Sequence, residues 1–272
     1  MNWRFDLLSY FFGSAKKQQR RLEERMASAS LAMSSSPTTS GEGFERPDLA
    51  SKASGAILTH PSSTDVASIV NFLMDHFVTN EPILSSLNIT NTRELNILLN
   101  DLVADSIGCS GTMVAQNNEH NELIGVCLCS RHNLLDQQLD RLCGYSFTDP
   151  GLSIAIEFLK YIFNRVDVAY HLEESNVSRP VFVVLVCVKP EYQLGGLGKR
   201  LMKESLESAR ASSDRCDSAF TICTSESGQA LYAQTFRQVL SRVKYSDYRG
   251  EFRDPPIQPK NATSLHVLLA NL

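Results

Sequence analysis

The sequence predicts an α/β fold with a mixed sheet, and three observations lead to this prediction. Residues 181–188, VFVVLVCV, form a nearly continuous β-branched run, as expected for a strand buried on both faces. Apolar residues recur at helical spacing on both sides of this run, and shorter β-like runs precede and follow it. The chain has 272 residues, 43% of them hydrophobic, which is enough to bury a core.

The N-terminal half begins with an extension and continues into two predicted helices. Residues 1–57 show no sustained apolar period, so we expect a disordered or partly helical extension followed by one domain over residues 58–272. A second helix is predicted after the candidate N-cap Asn91, with Glu94 three residues later. The first helix is predicted to start near Asp65 and to end before Pro82, from the helical spacing of Val66, Ile69, Val70, Leu73 and Phe77.

The remaining elements alternate between strands and helices. The runs at 111–115 and 123–130 flank the loop QNNEHN and predict a hairpin. A helix is predicted over residues 152–166, within the least regular part of the chain. After the strand at 181–188 and a glycine-rich loop, the patterns predict a helix from residue 197, a strand over 219–223, a short helix around 227–234, and strands over 238–245 and 265–269.

Charge, hydropathy and cysteine content narrow the class of protein. A formal net charge of -4, without a basic stripe that contains aromatics, argues against nucleic acid as a partner. No apolar run approaches the roughly 20 residues of a spanning helix. The seven cysteines are odd in number, mostly lie in apolar runs and include no CxxC pair, which indicates reduced core cysteines rather than disulfides or zinc ligands. We therefore expect a cytoplasmic protein. Glu23 and Glu24 lie within the basic run at 16–25 and weaken the case for mitochondrial targeting.

A glycine-rich loop in VCVKPEYQLGGLGKRL predicts an anion site. It joins the buried strand to a helix, whose first N–H groups and dipole favour a phosphate or pyrophosphate. The dinucleotide and Walker patterns both fail here, which argues against NAD and nucleoside triphosphates. The pattern Gln193-x-x-Gly196-x-Gly198 remains, with cations at its edge from Lys199 and Arg200. The glycines also fit a second interpretation, a tight turn with close helix packing.

In its loop and in its order of elements, the sequence resembles the GCN5-related N-acetyltransferase superfamily. The resemblance covers residues 58–270 and implies that fold, with a mostly antiparallel six- to seven-stranded sheet, a splayed central strand pair and flanking helices. It implies acetyl-coenzyme A as cosubstrate, no metal, and main-chain contacts from the strand and the loop. The corresponding residues are Val186, Cys187 and Val188 for the thioester arm, and Gln193, Leu194, Gly195, Gly196, Leu197, Gly198 and Lys199 for the loop around the pyrophosphate.

The segment NFLMDHFVTNEPILSSL, residues 71–87, resembles the start of the invertebrate-type arylalkylamine N-acetyltransferases. The resemblance places Glu81 at that branch's general base, which acts through water, and Phe77 at its pocket-lining phenylalanine. Asn80 replaces the usual aspartate. The alternative for Glu81 is a solvated carboxylate at a helix end. Tyr232 matches a tyrosine that protonates the leaving thiolate in many members, and its alternative is an ordinary helix residue.

The sequence also departs from the patterns of these enzymes. Phe182 and Val184 occupy the positions where the vertebrate enzymes have two histidines, so this strand offers no histidine relay. Thr224 and Gly228 lie nearest to two serines of the invertebrate enzymes, with Ser225 and Ser227 close by. Thr235 replaces the glycine of the usual Gly-Phe pair that closes the last helix.

The resemblance implies an enzyme that acetylates a primary amine by direct attack of the deprotonated amine on the thioester. The branch that the sequence resembles acts on arylalkylamines such as dopamine, tyramine, octopamine and serotonin. An alkylamine with a pKa near 10.4 needs about 4.6 kcal/mol for deprotonation at pH 7, so a base is required. Polyamines, aminoglycosides or a protein N-terminus are alternative acceptors, and a non-catalytic acetyl-coenzyme A-binding module is an alternative function. The oligomeric state stays open.

Overall fold

Seven strands form one mixed sheet in the computed structural model, which describes residues 55–131, 142–175, 177–213 and 215–272. Neighbouring strands are antiparallel except for the parallel pair β4 and β5, and the order is β1-β2-β3-β4-β5-β7-β6. This arrangement confirms the predicted mixed, mostly antiparallel sheet. The strands are β1 Ala56–Thr59, β2 Met113–Asn117, β3 Leu123–Arg131, β4 Pro180–Val188, β5 Ser218–Cys223, β6 Gln238–Lys244 and β7 Ser264–Asn271.

Helices cover both faces of the sheet. They are α1 Val66–His76, α2 Pro82–Ser86, α3 Thr92–Ser106, α4 Pro150–Arg165, α5 Val168–Glu174, α6 Leu197–Ala211 and α7 Glu226–Tyr232. The sequence predicts five of these helices, and it misses β1, α2 and α5. Because β1 begins at Ala56, the sheet starts within the last residues of the expected extension at 1–57. Residues 1–54 of that extension lie outside the described residues.

Hydrogen bonds between side chains and main chain connect the starts of α3 and α4. Asn91 caps α3 as predicted, accepting the Glu94 N–H at 3.2 Å. The Glu94 carboxylate does not complete a capping box, because it accepts instead the N–H groups of Thr148 at 3.0 Å and Asp149 at 2.9 Å. Asp149, the N-cap of α4, in turn accepts the N–H groups of Thr90 at 2.8 Å and Asn91 at 2.9 Å. The two helix starts therefore hold each other in place.

Two apolar cores lie on opposite faces of the sheet. On one face α6 packs Leu201 and Leu206 against β3 and β4. On the other face α1 and α3 contribute Leu73 and Leu99. Each fully buried leucine contributes about 1.5–3 kcal/mol relative to an exposed one. The cysteines are free thiols, six of them buried and Cys143 exposed, so most are core residues as expected.

A β-bulge in β4 shifts the alternation of its side chains. Leu128 of β3 pairs with Leu185 while the next residue, Cys129, pairs with Val183, so Val184 is the extra residue. Before the bulge Val181 and Val183 face the α6 core. After the bulge the even-numbered residues Val186 and Val188 face that core, and Leu185 and Cys187 face α1 and α3.

The strands β4 and β5 pair over a short distance and then diverge. Their parallel pairs run from Pro180 with Ser218 to Val183 with Thr221, although β4 continues to Val188. The Thr221 hydroxyl donates to the Val183 carbonyl oxygen at 2.8 Å, at the last pair. We call the space between residues 184–188 and residues 222–223 the fork. The predicted splayed strand pair is therefore confirmed.

Candidate active site

The main chain of β4 forms one side of the fork. The Lys189 N–H donates to the Ile124 carbonyl oxygen of β3 at 2.9 Å. Main-chain groups of an antiparallel strand face alternate sides, so Cys187 also faces β3 while Val186 and Val188 face the fork. Val186 and Val188 thus fit the main-chain contacts predicted from sequence. Cys187 does not, because its N–H and C=O point toward the neighbouring strand.

Gln193 ties the glycine-rich loop to the end of β4. Its Nε2 donates to the Val188 carbonyl oxygen at 2.9 Å. A short 3₁₀ turn, Pro190–Tyr192, precedes it, and the Gln193 N–H donates to the Pro190 carbonyl oxygen at 3.2 Å. The first residue of the predicted motif therefore fixes where the loop leaves the strand.

The loop delivers the start of α6 without a side-chain cap. Gly196 is the N-cap, with φ 84° and ψ 0°, and as a glycine it has no side chain to accept a hydrogen bond from the first turn. A β-carbon on Gly196 would find no atom within 4 Å, so the backbone there faces open space. Leu194 also has a left-handed conformation, with φ 64°, and its side chain is 95% exposed. Uncapped N–H groups at a helix start are suited to binding an anion.

One of the two predicted cations is committed elsewhere. Arg200 donates from Nη1 to the Ala56 carbonyl oxygen at 2.9 Å and forms an ion pair with Glu204 at 3.0 Å. Its guanidinium thus joins α6 to β1 and does not serve as the flexible cation expected at the edge of the loop. Lys199 has an exposed side chain in the first turn of α6, next to the loop.

Glu81 is a buried N-cap with one free oxygen. Its Oε2 accepts the Leu84 N–H at 2.7 Å, where Pro82 starts α2. The residue is only 8% exposed, so the alternative of a solvated helix-end carboxylate is wrong. Among the described residues Oε1 has no hydrogen-bond partner. Burial raises the pKa of Glu81, and the Leu84 N–H and the nearby Thr224 hydroxyl offset part of that increase.

Tyr245 completes a cluster around Glu81. Its hydroxyl donates to the Thr224 carbonyl oxygen at 2.7 Å, and its side chain is 2% exposed. Burial, followed by the charge of Glu81, raises the pKa of Tyr245. The cluster combines the start of α2 with the residues that follow β5 and β6. The sequence did not single out Tyr245, because an aromatic residue after a strand carries no chemical signal by itself.

Phe77 lies one turn before Glu81, as predicted. The Glu81 N–H donates to the Phe77 carbonyl oxygen at 2.8 Å. The phenyl ring is half-buried and packs at the edge of the α1 and α3 core. The backbone hydrogen bond keeps the two residues one helical turn apart.

Tyr232 is buried at the end of α7, close to the apex of the fork. It is 5% exposed, and its ring lies edge-on to Phe236 with centroids 5.2 Å apart. Burial raises the pKa of Tyr232 well above its usual value, Cys127 and Cys223 add to the increase, and the Thr221 hydroxyl opposes it. Tyr232 is therefore a core residue rather than an ordinary residue of an amphipathic helix. Its hydroxyl lies near Thr221 and stays protonated.

The serines near α7 have structural partners. Ser225 is the N-cap of α7, and its Oγ accepts the Gly228 N–H at 3.0 Å. The Ser227 hydroxyl lies 3.2 Å from the Ser225 hydroxyl. The sequence analysis named Thr224 and Gly228 as the residues nearest to the two serines of the invertebrate enzymes. Of these two, Thr224 lies beside Glu81. Phe182, at one of the vertebrate histidine positions, stacks on Phe220 with centroids 4.7 Å apart.

The described ranges lack both a membrane-spanning helix and a metal site. No described helix is long and apolar enough to cross a membrane. Within the same ranges, no group of three or more His, Cys, Asp or Glu side chains is placed to hold a metal ion.

Comparisons with known proteins give matches in structure. No protein-family model and no curated protein matches the sequence. A mosquito arylalkylamine N-acetyltransferase like 5b is 16% identical, with a TM-score of 0.65 over 80% of this chain and 100% of its own. A Drosophila melanogaster polyamine N-acetyltransferase, which forms N-acetylagmatine, is also 16% identical, with a TM-score of 0.66 over 80% and 100%. Arylalkylamine N-acetyltransferase 2 from Aedes aegypti is 16% identical, with a TM-score of 0.66 over 79% of this chain and 98% of its own. These likenesses show a common fold.

Proposed function

We propose that this chain, which has the GCN5-related N-acetyltransferase fold, transfers the acetyl group of acetyl-coenzyme A to a primary arylalkylamine. The candidate acceptors are dopamine, tyramine, octopamine and serotonin. The observation that carries the proposal is the buried Glu81 carboxyl group with its free Oε1, beside the residue that follows β5. A buried polar atom without a partner costs stability, and such atoms are concentrated at functional sites.

Glu81 supplies the base that an amine acceptor needs. The ammonium form predominates at pH 7 and has no lone pair for attack, and its deprotonation costs about 4.6 kcal/mol for a pKa near 10.4. A carboxylate attracts this cation and accepts its proton through a water molecule. Because burial raises the pKa of Glu81, its carboxylate is a stronger base than one in water.

The fork and the loop fit acetyl-coenzyme A, which supplies the reactive thioester. Val186 and Val188 would bind its arm through main-chain groups that face the fork, and such an N–H group can stabilise the developing oxyanion. The start of α6 would bind the pyrophosphate with residues 194–199. The open space beside Gly196 supports this placement, since a pyrophosphate needs close approach to the backbone.

The thiols near the fork favour direct transfer over an acyl-cysteine. Burial raises the pKa of both Cys187 and Cys223 to about 12. At pH 7 each thiol is then ionised to only ~1 part in 10⁵. Because thiolates are the nucleophilic form, neither cysteine is prepared to accept the acetyl group.

Tyr232 is the donor proposed for the departing thiolate. A coenzyme A thiolate has a pKa near that of free cysteine, about 8.5, so a hydrogen bond or proton from a neighbour assists its departure. Burial keeps the Tyr232 hydroxyl protonated. Its place close to Thr221 puts it near the apex of the fork.

The surroundings of Glu81 favour an aromatic acceptor over a polyamine. Phe77 precedes Glu81 by one turn, and Tyr245 lies near enough for the charge of Glu81 to raise its pKa. Among the described residues, the buried carboxylates are Glu81 and Asp149, and Asp149 is bonded to the starts of α3 and α4. A second cation, as in agmatine, would need a second acidic group. The cluster offers one carboxylate for one ammonium group.

Incubation of the purified full chain with acetyl-coenzyme A and an amine panel tests the proposal. Tyramine, dopamine and serotonin are compared with agmatine and spermidine, and thiol release and product mass are measured. We expect arylalkylamines to have the highest kcat/KM and Glu81→Gln to abolish most turnover. A wild type that binds acetyl-coenzyme A in calorimetry but acetylates no amine would instead support a non-catalytic binding module.

A further inference from the structure

We infer that Arg200 is a positioning residue for the proposed acetyl-coenzyme A site. Its side chain bonds β1 and thereby fixes the first turn of α6, whose N–H groups are proposed to bind the pyrophosphate. The role in binding rests on the proposed function. The restraint on the start of the helix belongs to the free protein and can be measured without a ligand.

Arg200 connects the first turn of α6 to β1 through its main chain and its side chain together. Its main-chain N–H donates to the carbonyl oxygen of the N-cap Gly196 at 3.0 Å, which closes the first helical turn. Its Nη1 donates to the Ala56 carbonyl oxygen at 2.9 Å, and its Nε donates to Glu204, one turn later, at 3.0 Å. One residue therefore joins the N-cap, the second turn of the helix and the first residue of β1.

The loop before α6 is bonded to a different strand, β4. Gln193 donates from Nε2 to the Val188 carbonyl oxygen at 2.9 Å. In the sheet order, β2 and β3 lie between β1 and β4. The start of the helix is thus restrained toward two separate strands. Loss of the Arg200 side chain would remove the hydrogen bond to β1 and leave the loop bonded to β4.

A second contact joins α6 to the chain just after β1. The Ser208 hydroxyl lies 3.3 Å from the His60 Nε2, and the His60 Nδ1 lies 2.9 Å from the Thr112 carbonyl oxygen. Because a carbonyl oxygen only accepts, Nδ1 carries a proton, and Nε2 of the neutral ring accepts from Ser208. Residues 200 and 208 are about 12 Å apart along a helix, and residues 56 and 60 about 13 Å apart along a strand. The two contacts therefore hold β1 alongside the helix.

The position of the helix start matters because acetyl-coenzyme A is proposed to contact two places at once. Its pyrophosphate would bind the first turn of α6, and its thioester arm would bind main-chain groups of Val186 and Val188 in the fork. Association costs less free energy when both places are already in the right arrangement. Arg200 acts on the first of these places, since its partner Ala56 lies at the far edge of the sheet from the fork.

Hydrogen exchange of the free full chain tests the restraint. Exchange over residues 194–202 is followed by mass spectrometry in wild type and in Arg200→Met, and is corrected for the intrinsic rates of each sequence. We expect about three- to tenfold faster exchange in Arg200→Met, because loss of one hydrogen bond lets the first turn open more often. Lys203→Met is the matched control, since Lys203 pairs with Glu207 at 3.7 Å on the exposed side of α6, and it should exchange like wild type.

Calorimetry with coenzyme A tests the consequence for binding. We expect Arg200→Met to raise the Kd of coenzyme A about three- to tenfold. Lys203→Met and Ser208→Ala should keep the Kd within about twofold of wild type. Because Arg200 is also a cation, the titrations are repeated at about 0.5 M salt, where the effect of a lost charge is screened. A positioning role predicts that the ratio of the variant Kd to the wild-type Kd persists at this salt concentration.

Two further variants keep the test independent of one substitution. Arg200→Lys keeps the charge but lacks the planar fork of donors that reaches Ala56 and Glu204 together, so it should also raise the Kd. Glu204→Gln removes an exposed ion pair and leaves the hydrogen bond to Ala56, so it should bind coenzyme A like wild type. Thermal unfolding verifies that each variant is folded, and Arg200→Lys supplies both readouts if Arg200→Met is not.

The outcomes separate the inference from the proposed function. Wild-type exchange over residues 194–202 in folded Arg200→Met would overturn the inference. An unchanged Kd, a Kd ratio that disappears at high salt, or an equal loss of affinity in Ser208→Ala would also overturn it. Faster exchange in Arg200→Met, in a protein whose wild type binds no coenzyme A, would support the restraint and overturn the proposed function.

Discussion

Cys223 and Gly228 pack so closely that residue 228 has no room for a side chain. A β-carbon on Gly228 would lie 2.8 Å from the Cys223 Sγ and 2.9 Å from the Ser225 Oγ. The Cys223 thiol is held in place by the Ser225 carbonyl oxygen at 3.4 Å. A serine at position 228, which the resemblance would allow, therefore cannot be accommodated beside this cysteine without movement.

Gly228→Ala should destabilise the fold through this contact. We expect a loss of about 1–3 kcal/mol in the free energy of unfolding, because overpacking displaces α7 from β5. Urea unfolding measures the change. The double variant Cys223→Ala, Gly228→Ala should recover part of the loss relative to the sum of the single variants. Strict additivity of the two changes would show that the contact does not limit residue 228.

Glu81→Gln should separate activity from stability. We expect kcat to fall by about 10²- to 10⁴-fold with acetyl-coenzyme A affinity unchanged, since only the base is lost. The surface variant Glu226→Gln should retain wild-type kcat.

The same Glu81→Gln variant should be more stable than wild type at neutral pH. The pKa of Glu81 is raised in the folded state, so the folded protein binds the proton more tightly than the unfolded chain. Its contribution to stability is therefore present below the unfolded pKa, about 4.5, and is lost as pH rises through the raised folded pKa. Urea unfolding at pH 4 and pH 7.5 should show equal stability at the lower pH and a more stable variant at the higher. A lower stability of Glu81→Gln at pH 7.5 would contradict this expectation.

Tyr232→Phe should reduce turnover without disturbing the core. The ring keeps its contact with Phe236, and only the protonated hydroxyl near the fork is lost. We expect kcat to fall by about tenfold, less than for the base, because the thiolate is already a good leaving group. Steady-state kinetics with Tyr161→Phe as the matched control measures the effect. Wild-type kcat in a folded Tyr232→Phe would leave the residue a purely structural role.

Gly196 and Gly198 should respond differently to alanine. Gly196 has φ 84°, so Gly196→Ala should cost about 1–2 kcal/mol and place a methyl group where the pyrophosphate is proposed to bind. A β-carbon on Gly198 would lie at ordinary contact distance, 3.6 Å from Val188, so Gly198→Ala should fold and bind normally. Urea unfolding and calorimetry with coenzyme A measure both effects. If Gly196→Ala loses stability but binds coenzyme A like wild type, the glycine serves only the turn.

Asp149→Asn should weaken the link between α3 and α4. Burial raises the pKa of Asp149, but the N–H groups of Asn91, Thr90 and Leu152 outweigh it, so the net pKa is lowered. We expect a loss of about 2 kcal/mol at pH 7, because the amide cannot accept all of these hydrogen bonds. The contribution is present above the unfolded pKa, near 3.8, and is lost as pH falls through the lowered folded pKa.

Acid titration of stability gives the readout for Asp149. The difference between wild type and Asp149→Asn should vanish at low pH. Asp167 is an N-cap that accepts one hydrogen bond, from the Tyr170 N–H at 3.0 Å. Asp167→Asn should therefore lower the free energy of unfolding much less than Asp149→Asn does. An Asp149→Asn cost no larger than that of Asp167→Asn would contradict the proposed link.

The elements with strong periodicity were predictable, and the shorter ones were not. The helical spacing after Asp65 and the β-branched run of β4 each carry a signal over many residues, and both elements are present. The five residues of α2 and the four of β1 are too short to show a period. The bulge at Val184 has no sequence signal either, because every residue around it is apolar.

In the candidate site, local motifs were predictable and tertiary contacts were not. The position of Glu81 follows from the segment around Pro82, and its burial follows from packing that no local pattern encodes. Arg200 is adjacent to the loop in sequence, yet its partner is β1, 144 residues away. Tyr245 joined the site through a hydrogen bond to the main chain, to which any residue type can contribute an oxygen.

The hydrogen bond from Thr221 to Val183 makes the cleft a property of the fold rather than of its ligand. A side-chain hydroxyl ends the β4 and β5 ladder at a fixed pair, so the separation of the two strands is built into the fold. The free energy of separating them is spent during folding. A ligand that fills the fork therefore binds without opening the sheet. Its affinity is not reduced by the free energy of separating β4 from β5.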